Sequence, residues 1–329
     1  MAEPFEAPGS AMDSAEDSPA HNILITAVLD RRSPAPDVDK ASSDIWFTAD
    51  AMLSQMTRAE LLRLAEYDRI AIYLFRRLTK GLTKATIPDE LSFSLEDVRE
   101  AMHLAVSDGL LKKVVKNVAD IKYTYDARRN FPPEMEQGGQ RVWLQVKKGE
   151  YKLVRTSRRN LIVLPDSLPG VPITEHIPDQ TPKFITAMLG NDEQAVFTRV
   201  RNAGLISTFL GFQAMIIQGH HRTSVSYGQI EVDEVQAGIE GTQGTIIPIS
   251  GKGGQDKLSW SQALNLNTYG KEKSRIPNLA IKSLGLWRDD AKTVWIVQFT
   301  PHTDIHSIDI VKARRFRFVD DHTSDEHRS

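Results

Sequence analysis

Apolar side chains between residues 49 and 108 recur at the three- and four-residue spacing of a helix face. They form three groups, at 61–65, 70–75 and 98–105. This pattern predicts three helices. Ser94, followed three residues later by Asp97, predicts a capping box at the start of the third helix, and Gly109 predicts its end.

Strand-like composition characterises four short segments after the third helix: LLKKVV, IKYTY, RVWLQV and YKLVR. Three helices followed by a basic hairpin is the order of a winged helix. The segment LEDVREAMHLAVSDGLLKKV resembles the recognition-helix-and-wing segment of such domains. The alternative is a small α+β interaction domain.

The second half of the chain opens with a helical pattern and continues with strands. Apolar spacing from 184 to 218 predicts a long helical stretch that breaks near Gly190 and Gly211. Two apolar runs, 228–239 and 244–254, flank a Gly-rich turn and predict an antiparallel hairpin. The runs TVWIVQF and HSIDIVKARRFRF predict terminal strands.

Composition divides the chain into five parts, and a mixed α/β fold class is expected. The first part is rich in Ala, Pro, Ser and Asp and is predicted to be disordered, with ILITAV (23–28) as a candidate docking strand. The parts are an acidic arm (1–48), a winged-helix-like domain (49–160), a Pro-rich linker (161–181), a second domain (182–320) and a tail (321–329).

Acidic and basic side chains converge on the predicted hairpin. Alternation along a strand puts Glu231 and Asp233 on one face, and Ser250 and Lys252 on one face of the partner strand. Two carboxylates about 7 Å apart repel each other by roughly 2 kcal/mol at an effective dielectric constant of about 20. A divalent cation together with Lys252 would offset this repulsion. The alternative is a hairpin face whose charges are simply hydrated.

A family resemblance rests on the segments DEQAVFTRVRNAGLISTFLG, GQIEVDE and PISGKGGQDKL and on the following Gln262. They resemble the PD-(D/E)XK nuclease superfamily, and more closely bacterial proteins described as restriction-endonuclease-like. The resemblance covers residues 180–319 and implies an αβββαβ core. It implies that Asp233 and Glu193 bind the metal, that Lys252 is the catalytic lysine, and that Gln262 supports the site.

Ser250 departs from that family's pattern, because these nucleases usually carry Glu, Asp or Gln two residues before the lysine. Either Glu231 or Glu234 then supplies the second carboxylate, or the protein has lost activity. The expected function is a DNA endonuclease in restriction or phage defence. Its expected cofactor is Mg²⁺, or Mn²⁺, bound by Asp233 and Glu231.

Two other function classes remain open: an inactive nuclease-like DNA-binding regulator, and a subunit of a larger defence complex. The expected partners are DNA and either a second copy of the chain or a defence-system protein. His220 and His221 precede the acidic strand, and either could touch a phosphate or a metal. Surface histidines without a ligand are the simpler interpretation.

Composition narrows the chemistry and the partners. The 329 residues include no cysteine, so any metal must be held by oxygen or imidazole. The formal net charge is -2, yet residues 111–160 carry thirteen Lys and Arg against five Asp and Glu, which gives +8. The predicted phosphate contacts are Lys112, Lys113, Arg222, Arg314 and Arg315. Without a membrane-length apolar run or a secretory signal, a cytoplasmic protein with no membrane partner is expected.

If Lys112 and Lys113 both contact phosphates, replacing both with alanine should reduce the slope of log affinity against log salt by about one to two units. The reason is that each neutralised phosphate contributes a slope of about 0.9 on duplex DNA. Fluorescence anisotropy with a labelled duplex at several salt concentrations measures the slope. Asp233→Ala in metal-free buffer is the control. An unchanged slope in the double variant would exclude these lysines from the interface.

Overall fold

The computed structural model describes residues 53–164, 174–190, 193–253, 256–274, 276–288, 290 and 292–319. The predicted acidic arm, its candidate docking strand at 23–28 and the predicted tail lie outside the described residues. Within the described ranges the fold is mixed α/β, as the sequence predicts. No helix there is both long and apolar enough to cross a membrane.

Three of the described helices begin at a capping box, with Thr57, Ser94 and Ser259 as the capping residues. Ser94 Oγ accepts a hydrogen bond from the Asp97 amide at 3.2 Å, and the Asp97 carboxylate accepts one from the Ser94 amide at 2.8 Å, which confirms the predicted capping box. Gly109, at φ 65°, follows the third helix where a left-handed residue was predicted. The helices are α1 (Arg58–Arg63), α2 (Glu66–Leu78), α3 (Leu95–Ser107), α4 (Ala119–Ala127), α5 (Lys183–Met188), α6 (Glu193–Asn202), α7 (Leu205–Leu210) and α8 (Trp260–Lys273), with a 3-10 helix at Pro133–Glu136.

The strands form three sheets in the described residues. They are β1 (Glu90–Ser94), β2 (Gln140–Lys147), β3 (Glu150–Thr156), β4 (Glu175–Pro178), β5 (Ala214–Gln218), β6 (His221–Val225), β7 (Gly228–Val232), β8 (Glu234–Glu240), β9 (Gln243–Lys252), β10 (Ala280–Ile281), β11 (Leu284–Arg288), β12 (Thr293–Phe299) and β13 (Ile310–Val319). One sheet has the order β1-β3-β2, and β6 pairs with β7 in a separate ribbon.

The amino-terminal half differs from its prediction in two segments. LLKKVV lies in the loop between α3 and α4, and IKYTY lies in the helix α4, so both strand predictions are wrong. The segment IKYTY alternates, but its buried residues are Ile121, Thr124 and Tyr125, at the spacing of a helix face. A segment of five residues is too short to distinguish the two-residue period of a strand from the 3.6-residue period of a helix. RVWLQV and YKLVR form the antiparallel strands β2 and β3.

The largest sheet has eight strands and organises the carboxyl-terminal half. Its order is β4-β13-β12-β11-β9-β8-β5, and β10 also pairs with β9. The predicted hairpin is confirmed, because β8 and β9 pair antiparallel from Glu234↔Ile249 to Glu240↔Gln243. β11 runs parallel to β9, which requires a crossover, and α8 provides it.

Helices cover both faces of this sheet. Phe197 of α6 and Phe209 of α7 pack with Ile249 and Leu286 on one face. Leu264 of α8, the helix of the crossover, packs in a second buried cluster on the other face. The large sheet is therefore sandwiched between helices, as the hydrophobic runs of β9, β11 and β12 require.

Two segments of the carboxyl-terminal half contradict the predicted boundaries. Residues 214–218 form β5 and do not continue the helical stretch, which breaks at Gly190 and Gly211 and also at Gly204. Gly204 and Gly211 both have positive φ and flank α7. Within the predicted linker, residues 165–173 lie outside the described residues, whereas Glu175–Pro178 form β4 and pair parallel with β13.

The two halves share a hydrophobic core. Val142 and Leu144 of β2 and Val154 of β3 belong to the same buried cluster as Leu264 of α8 and Phe299 of β12. The described residues all fall within one compact unit. Because β2 and β3 are buried against the large sheet, the amino-terminal half is fixed beside it and can contribute walls to a site.

Gly251 on β9 allows α6 to approach the sheet. A Cβ at this position would lie 2.4 Å from Cε2 of the buried Phe197 ring. Gly251→Ala should therefore destabilise the protein by about 1–3 kcal/mol through overpacking. Phe197→Leu should relieve the clash, so the double variant should be less destabilised than the sum of the two single variants. Urea unfolding of the four proteins measures this, and additive effects would show that the ring does not limit position 251.

Candidate functional site

The predicted strand 228–239 is interrupted at Asp233, where the chain changes partner. β7 ends before it and pairs with β6, and β8 begins after it and pairs with β9. Asp233 itself bonds to β9, since its amide donates to the Ile249 carbonyl at 3.0 Å. Its carboxylate Oδ2 accepts from Ser250 Oγ at 2.9 Å and from the Gly251 amide at 2.8 Å. Two donors therefore fix this buried carboxylate.

Three potential metal ligands meet beside the fixed carboxylate. His220, Glu231 and Asp233 each offer a ligand atom, and these atoms lie within 4.8 Å of one another. His220 Nε2 is 3.1 Å from Glu231 Oε1, and its Nδ1 is 3.8 Å from Asp233 Oδ1. The register of the β6–β7 ribbon, His221↔Val232, places the residue before His221 opposite the residue after Val232. This register brings the exposed His220 next to Asp233.

Lys252 lies at the end of β9 and is buried, with 7% of its surface exposed. Among the described residues no hydrogen bond or ion pair reaches its amine. An ammonium group in such a position is costly unless a ligand or solvent in the adjacent space compensates it. That space is a cleft of about 370 Å³, whose lining includes Glu231, Asp233, Ser250, Lys252 and Gln262.

Other acids and amides named by the sequence have different surroundings. Gln262 lines the cleft, but its Oε1 also accepts from the Ser259 amide at 3.2 Å and caps α8. Glu234 is buried on the other side of β8, where Arg201 Nε donates to it at 2.6 Å. Glu234 is therefore not the second carboxylate of the site. Glu193 is the first residue of α6, and its side chain lies outside the described part of the chain.

Arg222 is the predicted phosphate contact that lies beside the cluster. Its guanidinium donates to Glu231 at 2.8 Å, and this hydrogen bond raises the pKa of Arg222 above its ordinary value. The side chain remains exposed. Lys112 and Lys113 are exposed in the loop between α3 and α4 and do not line the cleft.

The two predicted phosphate contacts on β13, Arg314 and Arg315, have structural partners away from the cleft. Arg314 Nε donates to Glu175 of β4 at 2.6 Å, which links β13 to the neighbouring strand. The guanidinium of Arg315 lies 5.7 Å from the Trp295 ring centroid. Because neither lines the cleft, the structure does not bring these predicted phosphate contacts to the site.

The opposite wall of the cleft comes from the amino-terminal half. Lys122 and Tyr123 of α4 and Gln145 of β2 line it, and Tyr227 completes it from the turn before β7. Tyr227 donates to Asn265 Oδ1 at 2.8 Å, and burial raises the pKa of its hydroxyl to about 12, so it stays protonated at neutral pH. Sequence reasoning did not find this wall, since the strand prediction for IKYTY hid the helix that carries it.

Comparison of the chain with protein-family models, with curated proteins and with solved structures finds no match. Function therefore has to be inferred from the side chains of the cleft. The cluster offers two carboxylates and one imidazole, and its two carboxylates share the cleft with the ammonium group of Lys252. Carboxylate oxygens suit Mg²⁺ and Mn²⁺, and an imidazole shifts the preference toward the transition metal. The residues present thus fit a divalent cation.

His220→Ala should weaken Mn²⁺ binding by at least about tenfold, because loss of an outer-shell partner alone typically costs about 10–100-fold in metal affinity. Calorimetric titration of the full chain measures it. His221→Ala is the matched control, since the neighbouring ring packs edge-on against Tyr269 at 6.1 Å and is not part of the cluster. Equal Mn²⁺ affinity in the two variants would show that His220 does not bind the metal.

Proposed function

We propose that this protein is a metal-dependent endonuclease that hydrolyses phosphodiester bonds of DNA. The observation that carries the proposal is that Glu231 and Asp233, two members of the His220–Glu231–Asp233 cluster, line the same cleft as the largely buried side chain of Lys252. Phosphodiester hydrolysis requires an activated water and stabilisation of negative charge on the phosphoryl oxygens. The two parts of the cleft correspond to these two requirements.

The roles of the side chains follow from their contacts. Asp233, Glu231 and His220 would hold the divalent cation, Mg²⁺ or Mn²⁺. Such a cation polarises the scissile phosphate and lowers the pKa of a coordinated water. Lys252 donates hydrogen bonds to the attacking water and to a phosphate oxygen, which orients the water and offsets developing charge. Ser250 keeps the Asp233 carboxylate oriented through its 2.9 Å hydrogen bond.

The order of elements supports the proposal. From α6 onward the large sheet and its flanking helices contain, in chain order, α6, α7, β5, β8, β9, α8, β10 and β11. Apart from the second helix and the two-residue strand β10, this matches the αβββαβ order that the resemblance to the PD-(D/E)XK superfamily implies. Asp233 directly precedes the second of these strands and Lys252 ends the third, where that family carries its acid and its lysine.

A winged-helix-like role for the amino-terminal half is the second part of the proposal. The elements α2, β1, α3, α4, β2 and β3 place three helices before a hairpin, and the sheet order is β1-β3-β2. α4 precedes the hairpin, with the 3-10 helix Pro133–Glu136 between them. The exposed Lys112 and Lys113 lie just before α4, where they can reach DNA phosphates.

A second candidate function is a DNA-binding regulator, alone or within a defence complex, whose nuclease-like half is inactive. Ser250 favours it, because a hydroxyl bonded to Asp233 is a poorer metal ligand than the acid it replaces. A partner protein or a second copy of the chain fits either candidate.

Lys252→Ala and Asp233→Ala should each reduce cleavage by at least about 100-fold, the scale seen when one charge-stabilising group is removed from an active site. Cleavage of plasmid, linear duplex and single-stranded DNA is followed with Mg²⁺, with Mn²⁺ and with a chelator. The chelator should abolish cleavage by the unaltered protein.

Lys257→Ala is the matched control for charge, since Lys257 is exposed and only its backbone amide is bonded, to Ala127. It should cleave at the normal rate. Normal rates for folded Lys252→Ala or Asp233→Ala protein would contradict the proposal. Salt-dependent DNA binding without cleavage by the unaltered protein would favour the regulator.

A further inference from the structure

The candidate cleft has two walls from different halves of the chain. The catalytic wall carries Asp233, Ser250 and Lys252, and the facing wall carries Tyr123 of α4 and Gln145 of β2. A substrate that reaches the metal ligands must therefore also contact α4.

The facing wall is held in place by hydrogen bonds to the start of α8. Ser261 Oγ donates to Asp126 Oδ1 at 2.7 Å, and the Tyr123 hydroxyl donates to Asp256 Oδ2 at 3.2 Å. The backbone takes part as well, since the Lys257 amide donates to the Ala127 carbonyl at 2.7 Å. These bonds hold the carboxyl-terminal half of α4, so displacing it would leave the buried Ser261 hydroxyl without this acceptor.

The walls also meet at one end of the cleft. A Cβ at Gly228 would lie 2.3 Å from Gln145 Nε2, so β2 and β7 are in close contact there. The cleft volume of about 370 Å³ lies at the lower end of the range of about 300–1,000 Å³ that holds one small organic ligand. A single DNA strand is narrower than a duplex, which is wider than its own major groove of about 12 Å. A cleft of this size with walls on two sides therefore favours the single strand.

An aromatic side chain and a cation lie together on the facing wall. Tyr123 is 43% exposed, whereas the following Thr124 and Tyr125 of the same helix are buried. The Arg128 guanidinium carbon lies 5.2 Å from the centre of its ring. Exposed aromatic rings accompanied by arginine are the platforms on which proteins stack unpaired bases.

We propose that the cleft accepts a single DNA strand, with an unpaired base stacked on Tyr123 and its phosphodiester directed to Asp233 and Lys252. This inference rests on the proposed endonuclease function. It defines the substrate class: single-stranded DNA, or a duplex already opened by a gap, flap or fork. Duplex contacts through Lys112 and Lys113 remain compatible with it, since these lysines lie outside the cleft.

The first experiment measures binding without cleavage. Anisotropy of a labelled 15-nucleotide strand and of the blunt duplex of the same sequence is recorded with full-length Asp233→Asn protein in chelator. The single strand should bind at least about tenfold more tightly. Adding Tyr123→Ala should weaken single-strand binding by about tenfold, the effect of losing one stacked base, whereas Tyr123→Phe should retain it.

Tyr73→Ala is the matched control. Tyr73 lies in the same half, and its hydroxyl also donates to an aspartate, Asp108, at 2.6 Å, but it is outside the cleft. It should leave single-strand binding unchanged. If Tyr123→Ala lowers the unfolding midpoint, its weaker binding could come from lost stability, so Arg128→Ala is used instead. That variant should weaken single-strand binding severalfold. Equal binding of strand and duplex, or loss in Tyr123→Phe equal to that in Tyr123→Ala, would overturn the inference.

The second experiment separates the inference from the proposed function. Unaltered protein with Mn²⁺ is given circular single-stranded DNA and relaxed, covalently closed duplex circles of the same sequence. Cleavage should be at least about tenfold faster on the single strand. Equal or faster cleavage of the closed duplex would overturn the inference and leave the endonuclease function standing. No cleavage of either would overturn the endonuclease function, while the binding experiment still decides whether the cleft takes a single strand.

Discussion

The site depends on the way Asp233 is held between two strands. Its amide bonds to the Ile249 carbonyl, and its buried carboxylate accepts from Ser250 Oγ and the Gly251 amide. A buried carboxylate without donors would cost several kcal/mol, so these bonds make the position tenable. They also redirect the chain: β7 leaves the large sheet to pair with β6, and β8 stays paired with β9. That departure carries Glu231 and His220 to the same side as Asp233.

The structure gives Ser250 a role that the sequence did not predict. As a replacement for a metal-binding acid it weakens the case for catalysis, and as a hydrogen-bond donor to Asp233 it orients the acid that remains. A third carboxylate beside Glu231 and Asp233 would add repulsion in a partly buried space. His220 offers a nitrogen within 4.8 Å of oxygens of both carboxylates without adding negative charge. The donor set is thus coherent, although it differs from the pattern of the resembling family.

Because the two halves share a core, residues from both halves line the cleft. Val142, Leu144 and Val154 are buried with residues of α8 and β12, and the same packing brings α4 against the start of α8. Removing the amino-terminal half would expose this apolar surface as well as remove one wall. The arrangement explains how α4 contributes residues to a cleft that is formed around the large sheet.

The sequence by itself determined the elements whose period and caps are unambiguous. Helices α1 to α3, the capping box at Ser94 and the β8–β9 hairpin with Lys252 near its end belong to this group, because local spacing and turn chemistry decide them. Tertiary structure decided the rest. Five-residue segments such as IKYTY and AMIIQ fit both the helix period and the strand period. Packing against the rest of the protein makes IKYTY part of a helix and AMIIQ an edge strand. The meeting of His220 with Asp233, the pairing of Glu234 with Arg201 and the wall formed by α4 depend on contacts between residues far apart in the chain, which no local pattern encodes.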